Sequence, residues 1–214
     1  MPDSATIAAY ATAAGTLVLA MATFASVRSA NNAARTAERS LQVGLRPLLF
    51  PSKLEDPEQK IRWGDDHWAT LAGGRATFEL SEDAIYMALS LRNVGSGIAV
   101  IHSWRTAEGV PFGAPMQPPE LDEFRPQTRD LYVPPGDIGF WQAAIRERQD
   151  PAWPTAWSAL DARSPLLVDL LYGDYEGGQR TISRFLISPV GEQRTAWLGS
   201  VVRHWNLDRP DPRG

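Results

Sequence analysis

Two rhythms of hydrophobic and polar residues divide the protein. From Thr6 to Val27 there is no charged residue; the charges that bracket this run are Asp3 and Arg28. As a helix rising about 1.5 Å per residue it would be roughly 33 Å long, against a bilayer core of about 30 Å. Its large apolar residues are few (Ile7, Tyr10, Leu17, Val18, Leu19, Met21, Phe24, Val27), and the rest are Ala, Thr, Gly and Ser. The pattern predicts a transmembrane helix over 6–27 behind a short tail, 1–5. Two alternatives compete with it. A signal peptide could be cleaved after Ala20-Met21-Ala22 or Thr23-Phe24-Ala25, but it should open with a basic region, and this flank holds Asp3 and neither Lys nor Arg. A buried helix of a soluble core would usually show a polar face, which this stretch lacks.

The helix is expected to run on through "SANNAARTAERSLQVG" as a stalk over 28–45, with no Pro inside it and Gly44 placed to cap it before Arg46-Pro47. Ala30, Ala34 and Ala37 recur at a 3–4 spacing, and the seam continues backward through Ala20, Ala13 and Ala9. Small residues on one face let helices approach closely in lipid, and Arg28, Arg35, Glu38 and Arg39 all fall off the seam. Self-association through this helix is therefore one expectation, and a solvated monomeric stalk is the other. Arg28, Arg35, Arg39 and Arg46 lie within reach of the positive-inside rule, whereas the N-terminal side offers only the α-amino group. The expected placement is a bacterial cytoplasmic (inner) membrane, N-terminus outside, main domain inside.

Beyond Arg46 the period changes to two. "AIYMALSLRNV" puts Ile85, Met87, Leu89 and Leu91 on one face and Ala84, Tyr86, Ala88 and Ser90 on the other. "NVGSG" is a turn, and "IAVIHSW" starts another strand. "LYVPPGDIGFWQAAI" reads as strand, Pro-Gly turn, strand. "LLVDLLYGDYEGGQRTISRFLIS" is the clearest hairpin. "RTAWLGSVVRHWN" reads as a last strand, with Trp197, Val201 and Trp205 on one face and Leu198, Val202 and His204 on the other. One short helix is expected near Thr155–Leu160. A Pro-rich loop occupies 109–127. The expected domain is a mainly β, antiparallel β-sandwich over 46–207, followed by a flexible tail, 208–214.

"LSLRNVGSGIAVI", "LYVPPGDIGFW" and "LLVDLLYGDYEGGQRT" resemble the ordered landmarks of bacterial Ig-like sandwich domains: an Asn-x-Gly turn after a central strand, a Pro-Gly turn before a later one, and an aromatic-Asp-x-x-Gly hairpin. With the N-terminal anchor and the Ala- and Arg-rich stalk, the layout resembles N-terminally membrane-anchored proteins of high-GC bacteria, and "VVRHWNLDRPDPR" is similar to the ends of some of them. The landmarks cover roughly 84–205. The resemblance implies a fold; it brings no known activity and no catalytic residue.

Composition narrows the chemistry. A net charge of −4 argues against nucleic acid as a partner attracted by a global positive field. With no Cys there is no disulfide framework, thiolate zinc site or Cys nucleophile. Phosphate-loop, dinucleotide and G-x-S-x-G motifs are missing, so no cofactor is indicated.

Four clusters remain. In "WGDDHW", Asp65, Asp66 and His67 are metal-ligand types, but adjacent residues rarely converge on one ion; the plainer expectation is a solvated turn with both flanking Trp in the core. His102 and His204 lie on strands and could meet if those strands were neighbours. Asp174 and Glu176 share a tight loop, where Asp and Gly are also ordinary turn residues. Trp153 and Trp157 sit in a Pro-rich insertion, and of the eight Trp they are the pair a sandwich core explains least.

The leading expectation is a non-enzymatic interaction or scaffold module held at the bilayer, with an unknown protein partner or a second copy through the N-terminal helix. Trp153, Trp157, Asp174 and Glu176 are its candidate contact residues. The alternatives are a ligand- or ion-sensing domain using the 109–127 loop and the 173–178 hairpin, and a hydrolase using His102, His204 or the Asp65-Asp66-His67 cluster. No catalytic residue and no metal ligand is assigned.

Overall fold

The computed structural model describes residues 3–81, 83–109, 116–192 and 194–209. Parts of the Pro-rich loop (110–115) and of the C-terminal tail (210–214) lie outside them. Packing divides the protein into two units, Met1–Val43 and Gly44–Gly214.

The first unit is one helix. α1 runs unbroken from Ser4 to Gly44. A stretch within it, Thr12–Glu38, is long and apolar enough to cross a membrane, and none of that stretch is buried. Three threonine hydroxyls turn back onto the helix: Thr16 to the carbonyl of Thr12, Thr23 to Leu19 and Thr36 to Asn32, each at 2.9 Å. Such bonds satisfy the hydroxyl inside the helix, which makes Thr16 and Thr23 compatible with hydrocarbon surroundings.

The second unit is mainly β, as expected. Its strands are β1 (Leu49–Pro51), β2 (Gln59–Arg62), β3 (Trp68–Leu71), β4 (Arg75–Ser81), β5 (Ala84–Asn93), β6 (Ala99–Glu108), β7 (Arg125–Val133), β8 (Ile138–Ile145), β9 (Leu166–Gly173), β10 (Thr181–Val190) and β11 (Ala196–Asn206). A short helix, α2 (Trp153–Asp161), joins β8 to β9 and starts two residues earlier than the sequence pattern suggests. β7 begins at Arg125, inside what reads from sequence as loop. Among the described residues, nine strands form one curled antiparallel sheet in the order β1-β5-β4-β11-β10-β9-β6-β7, with β8 on the other side of β5; β2 and β3 pair separately. Pairing is thus continuous round a single sheet rather than divided between two hydrogen-bonded sheets, as a simple sandwich would have it.

β5 explains the layering. Ile85, Met87, Leu89 and Leu91 face the main core, with Trp104, Trp141, Tyr172 and Phe185. Ala84, Tyr86 and Ala88 face the other way and are buried too, under Ile61, Trp63 and Leu71 of the β2–β3 hairpin. The alternation read from "AIYMALSLRNV" holds, and both faces are covered because the hairpin roofs the outer one. Trp63 donates its indole N–H to the carbonyl of Ala143 at 3.1 Å. Trp68, on the other arm, is 58% exposed, so only one of the two Trp of "WGDDHW" enters a core.

The "NVGSG" turn is held by Asn93, which is fully buried. Its Oδ1 accepts from the N–H groups of Leu48 (3.1 Å) and Gly95 (3.0 Å), and its Nδ2 donates to the carbonyls of Gly97 (2.6 Å) and Val133 (2.9 Å). A side chain that satisfies all its hydrogen-bonding capacity can be buried at little net cost. Gly97 has to lack a side chain, because a Cβ there would fall inside the backbone of Leu45.

One face assignment is overturned. The β10–β11 register shifts between Arg184 and Phe185, so Val202 is an extra residue opposite the shift. Trp197 and Val201 share a face, as expected, and it meets the core, but beyond the bulge the faces exchange: Trp205 lies buried on the opposite face beside Arg184, and His204 turns in against Ser183.

Candidate functional site: the groove along β4

A groove of about 790 Å³ in the β domain runs along β4 between the end of β3 on one side and α2 with the start of β11 on the other. Local sequence builds each wall. α2 starts where Asp150 accepts from the N–H of Ala152 at 2.9 Å, and Pro154 sits in its first turn, where a missing N–H costs nothing. The helix stops because Arg163 takes φ +47°, while Ser164 donates back to the carbonyl of Ala159 at 2.9 Å and Pro165 follows. That stop places Arg163 at the groove with its guanidinium 5.8 Å from the ring of Trp197. Trp197 in turn packs on Phe78, ring centroids 4.9 Å apart.

Both tryptophans of the insertion belong to this wall. Trp153 and Trp157 lie one helical turn apart with near-parallel rings, 6.3 Å between centroids. Trp153 packs against the main core, whereas Trp157 is 39% exposed and lines the groove. Of the two residues that sequence singles out, one is therefore a plug for the end of the β domain and the other an accessible ring.

The floor is an open strand edge. β11 pairs with β4 only at Trp197–Ala76 and Leu198–Arg75, because the backbone before it turns away through Gly191 (φ +86°) and Arg194 (φ +52°). Beyond Ala76, β4 keeps a partner only on the β5 side among the described residues. Two cations line the groove, Arg75 and Arg163, and among the described residues neither has a carboxylate partner. Of its two carboxylates, Glu79 is occupied by His67 at 2.9 Å, and Asp161 is exposed at the helix end. Sequence reasoning missed Arg75, Arg163 and the β4 edge; nothing local distinguishes a strand that loses its neighbour halfway.

The other sequence candidates fall elsewhere. "WGDDHW" is more than a solvated turn. His67 stacks on Tyr86 at 3.8 Å, and Asp65 accepts from the Tyr86 hydroxyl at 2.7 Å and from Arg146 at 2.9 Å. Burial works against ionisation of Asp65, but the Tyr86 and Arg146 donors outweigh it and hold its carboxyl down at about 2. Asp66 sits at φ +62° and pairs with Arg62 at 3.2 Å. The three members do not converge on a point, and among the described residues no three His, Asp or Glu side chains are arranged to hold a metal ion.

His102 and His204 are not on neighbouring strands: β9 and β10 separate β6 from β11. His204 Nδ1 lies 2.6 Å from the Ser183 hydroxyl, which is 2.8 Å from the Tyr172 hydroxyl. Asp174 is buried, and its carboxylate accepts from the N–H of Gly178 at 2.7 Å, holding the hairpin loop in shape; Glu176 is exposed beside it.

A buried ionic row crosses the outer face of the sheet. Asp169 receives Arg184 in bidentate fashion (2.7 and 2.8 Å), and Arg105 approaches the same carboxylate at 3.2 Å while also pairing with Glu123. Arg184 also lies over the ring of Trp205 at 5.0 Å. Burial, together with the neighbouring Arg184, pulls the Arg105 guanidinium below its ordinary value against the pull of Asp169.

No protein family, no curated protein and no solved structure matches this sequence. The groove and its residues therefore stand on their own chemistry.

Proposed function

We propose that the protein is a membrane-anchored, non-enzymatic interaction module that presents the β4 groove to a protein partner. One observation carries this reading. The groove joins an accessible Trp157 ring to an open strand edge and to two arginines that have no carboxylate partner among the described residues. Protein surfaces use that combination of apolar anchor and unsatisfied polar groups for recognition. The histidines are dispersed, His67 before β3, His102 on β6 and His204 on β11, which supports binding over hydrolysis. α1 supplies the anchor, with the N-terminus outside and the β domain on the cytoplasmic side, because the arginines cluster after the apolar stretch.

The β domain is a variant of the Ig-like sandwich in this reading, of the kind carried by membrane-anchored proteins of high-GC bacteria. The pairing supports it: β4-β5-β8 corresponds to one sheet, and β10-β9-β6-β7 to the other, with β11 added beyond β10 and only two β4–β11 residue pairs bridging the halves.

A photo-crosslinking residue at position 157 of the full-length protein in its native membranes is the direct test. It should give a discrete protein adduct that a crosslinker at exposed Glu176 does not. Equal labelling from both positions, or none from 157, would refute the assignment of this surface. A periplasmic reporter fused after residue 214 should be inactive; activity would invert the orientation.

A further inference from the structure

We propose that the β4 groove takes an extended peptide as an added strand, antiparallel to β4, with a carboxylate at the peptide's C-terminal end held by Arg75 and Arg163. The proposal rests on the reading of the groove as a protein-binding surface and specifies the partner's chemistry.

The ladder assigns which peptide groups lack a strand partner. The N–H of Gly199 donates to the carbonyl of Gly74 at 3.3 Å, and Ala76 is paired with Trp197 two residues on. In an antiparallel ladder the backbone groups of alternate residues point to the same side. The groups of Phe78 and Leu80 therefore point where those of Gly74 and Ala76 do, into the space β11 would fill had it begun earlier. Among the described residues no strand pairs with them there. Thr77 and Glu79 direct theirs to Ala88 and Tyr86 of β5. Two unpaired peptide units, roughly 7 Å apart along the strand, form a template that matches the repeat of an incoming strand and of no helix.

The direction follows from the same geometry. β11 is antiparallel to β4, so a peptide extending the ladder lies in line with β11 and its C-terminal end abuts Ala196. That is the end at which Arg75 and Arg163 line the groove. Two guanidinium groups without a carboxylate partner among the described residues complement an anion there, and an Arg fork binds a carboxylate in two-point fashion. A free terminal carboxylate and an acidic side group in the last positions share this chemistry. Trp157, on the facing wall, supplies an apolar contact for one residue of the strand.

The test uses the full-length protein in nanodiscs and affinity selection from random octapeptide pools, made with a free C-terminal carboxylate, with a C-terminal amide, and with Glu or Lys in the last two positions. The carboxylate and Glu pools should be retained and the amidated Lys pool should not. Retained peptides should slow hydrogen exchange at the Phe78 and Leu80 amides. Arg75→Glu with Arg163→Glu should weaken them at least tenfold and favour the Lys pool, and Arg75→Gln with Arg163→Gln should weaken binding without that reversal. Retention from the carboxylate pool alone would mark a free C-terminus as the ligand, and retention of Glu-amide peptides an internal acidic segment. Peptides lost with Trp157→Ala that leave Phe78 and Leu80 exchange unchanged would overturn strand addition while leaving the groove a binding surface. No retention from any pool would overturn both.

Discussion

The backbone N–H of Leu49 donates to the hydroxyl of Tyr172 at 3.1 Å, across a sequence separation of 123 residues. The same hydroxyl meets Ser183, and Ser183 meets His204, so one fully buried phenol links β1, β9, β10 and β11. Tyr172→Phe strands a buried N–H and should cost about 1–3 kcal/mol in urea unfolding of the full-length protein in detergent. Burial raises this phenol to about 12, against the weaker opposing pull of its two hydrogen bonds. A group raised in the folded state stabilises fully below its unfolded value near 10 and loses that contribution as pH climbs towards 12. Stability should fall over that window, and less steeply in Tyr172→Phe.

Asp65 predicts the opposite limb. Its folded pKa of about 2 lies below the ordinary carboxylate value of 3.8, so its contribution is present above about pH 4 and is lost as pH falls towards 2. Urea midpoints measured down this range should decline, and Asp65→Asn should flatten part of the decline. An unchanged acid limb in the variant would mean that the Tyr86 and Arg146 contacts do not stabilise the ionised form.

The ionic row makes a third prediction. Asp169→Ala leaves Arg184 buried without its counter-charge and should cost about 3–5 kcal/mol. Replacing both partners with apolar residues of similar size, Asp169→Leu with Arg184→Met, should recover much of that loss. Thermal melts of the two variants decide it; a double variant as unstable as the single one would show that the pair supplies more than mutual neutralisation.

α1 offers a fourth. If helices of two copies meet along the Ala seam, replacing Ala13, Ala20 and Ala34 with Leu should abolish membrane crosslinks between copies while leaving the melting of the β domain unchanged. Crosslinking that survives all three substitutions would remove the seam as an interface.

How far the sequence reaches differs from element to element. The long helix, the faces of β5, the Asn93 turn and the 173–178 hairpin were all legible, because each depends on spacing or turn chemistry within about ten residues. β1 to β4 escaped notice: they are three to seven residues long and two of them form a hairpin outside the main sheet. Simple alternation puts Trp205 on the same face as Trp197, but a bulge inserts one residue, and only pairing with β10 reveals it.

The candidate site depended on tertiary structure almost entirely. The sequence by itself determined that the protein has a helix with a long uncharged stretch, a β domain and two tryptophans in need of a purpose. That much follows from hydrophobic period and local backbone preference, which act between near neighbours. Only the fold decided that Trp157 is exposed while Trp153 packs against the core, that Arg75 and Arg163 from distant stretches share a groove, and that among the described residues β4 has no strand partner on the β11 side at Phe78 and Leu80. Those facts arise where one strand stops pairing with another more than a hundred residues away, and no local preference encodes the end of a ladder.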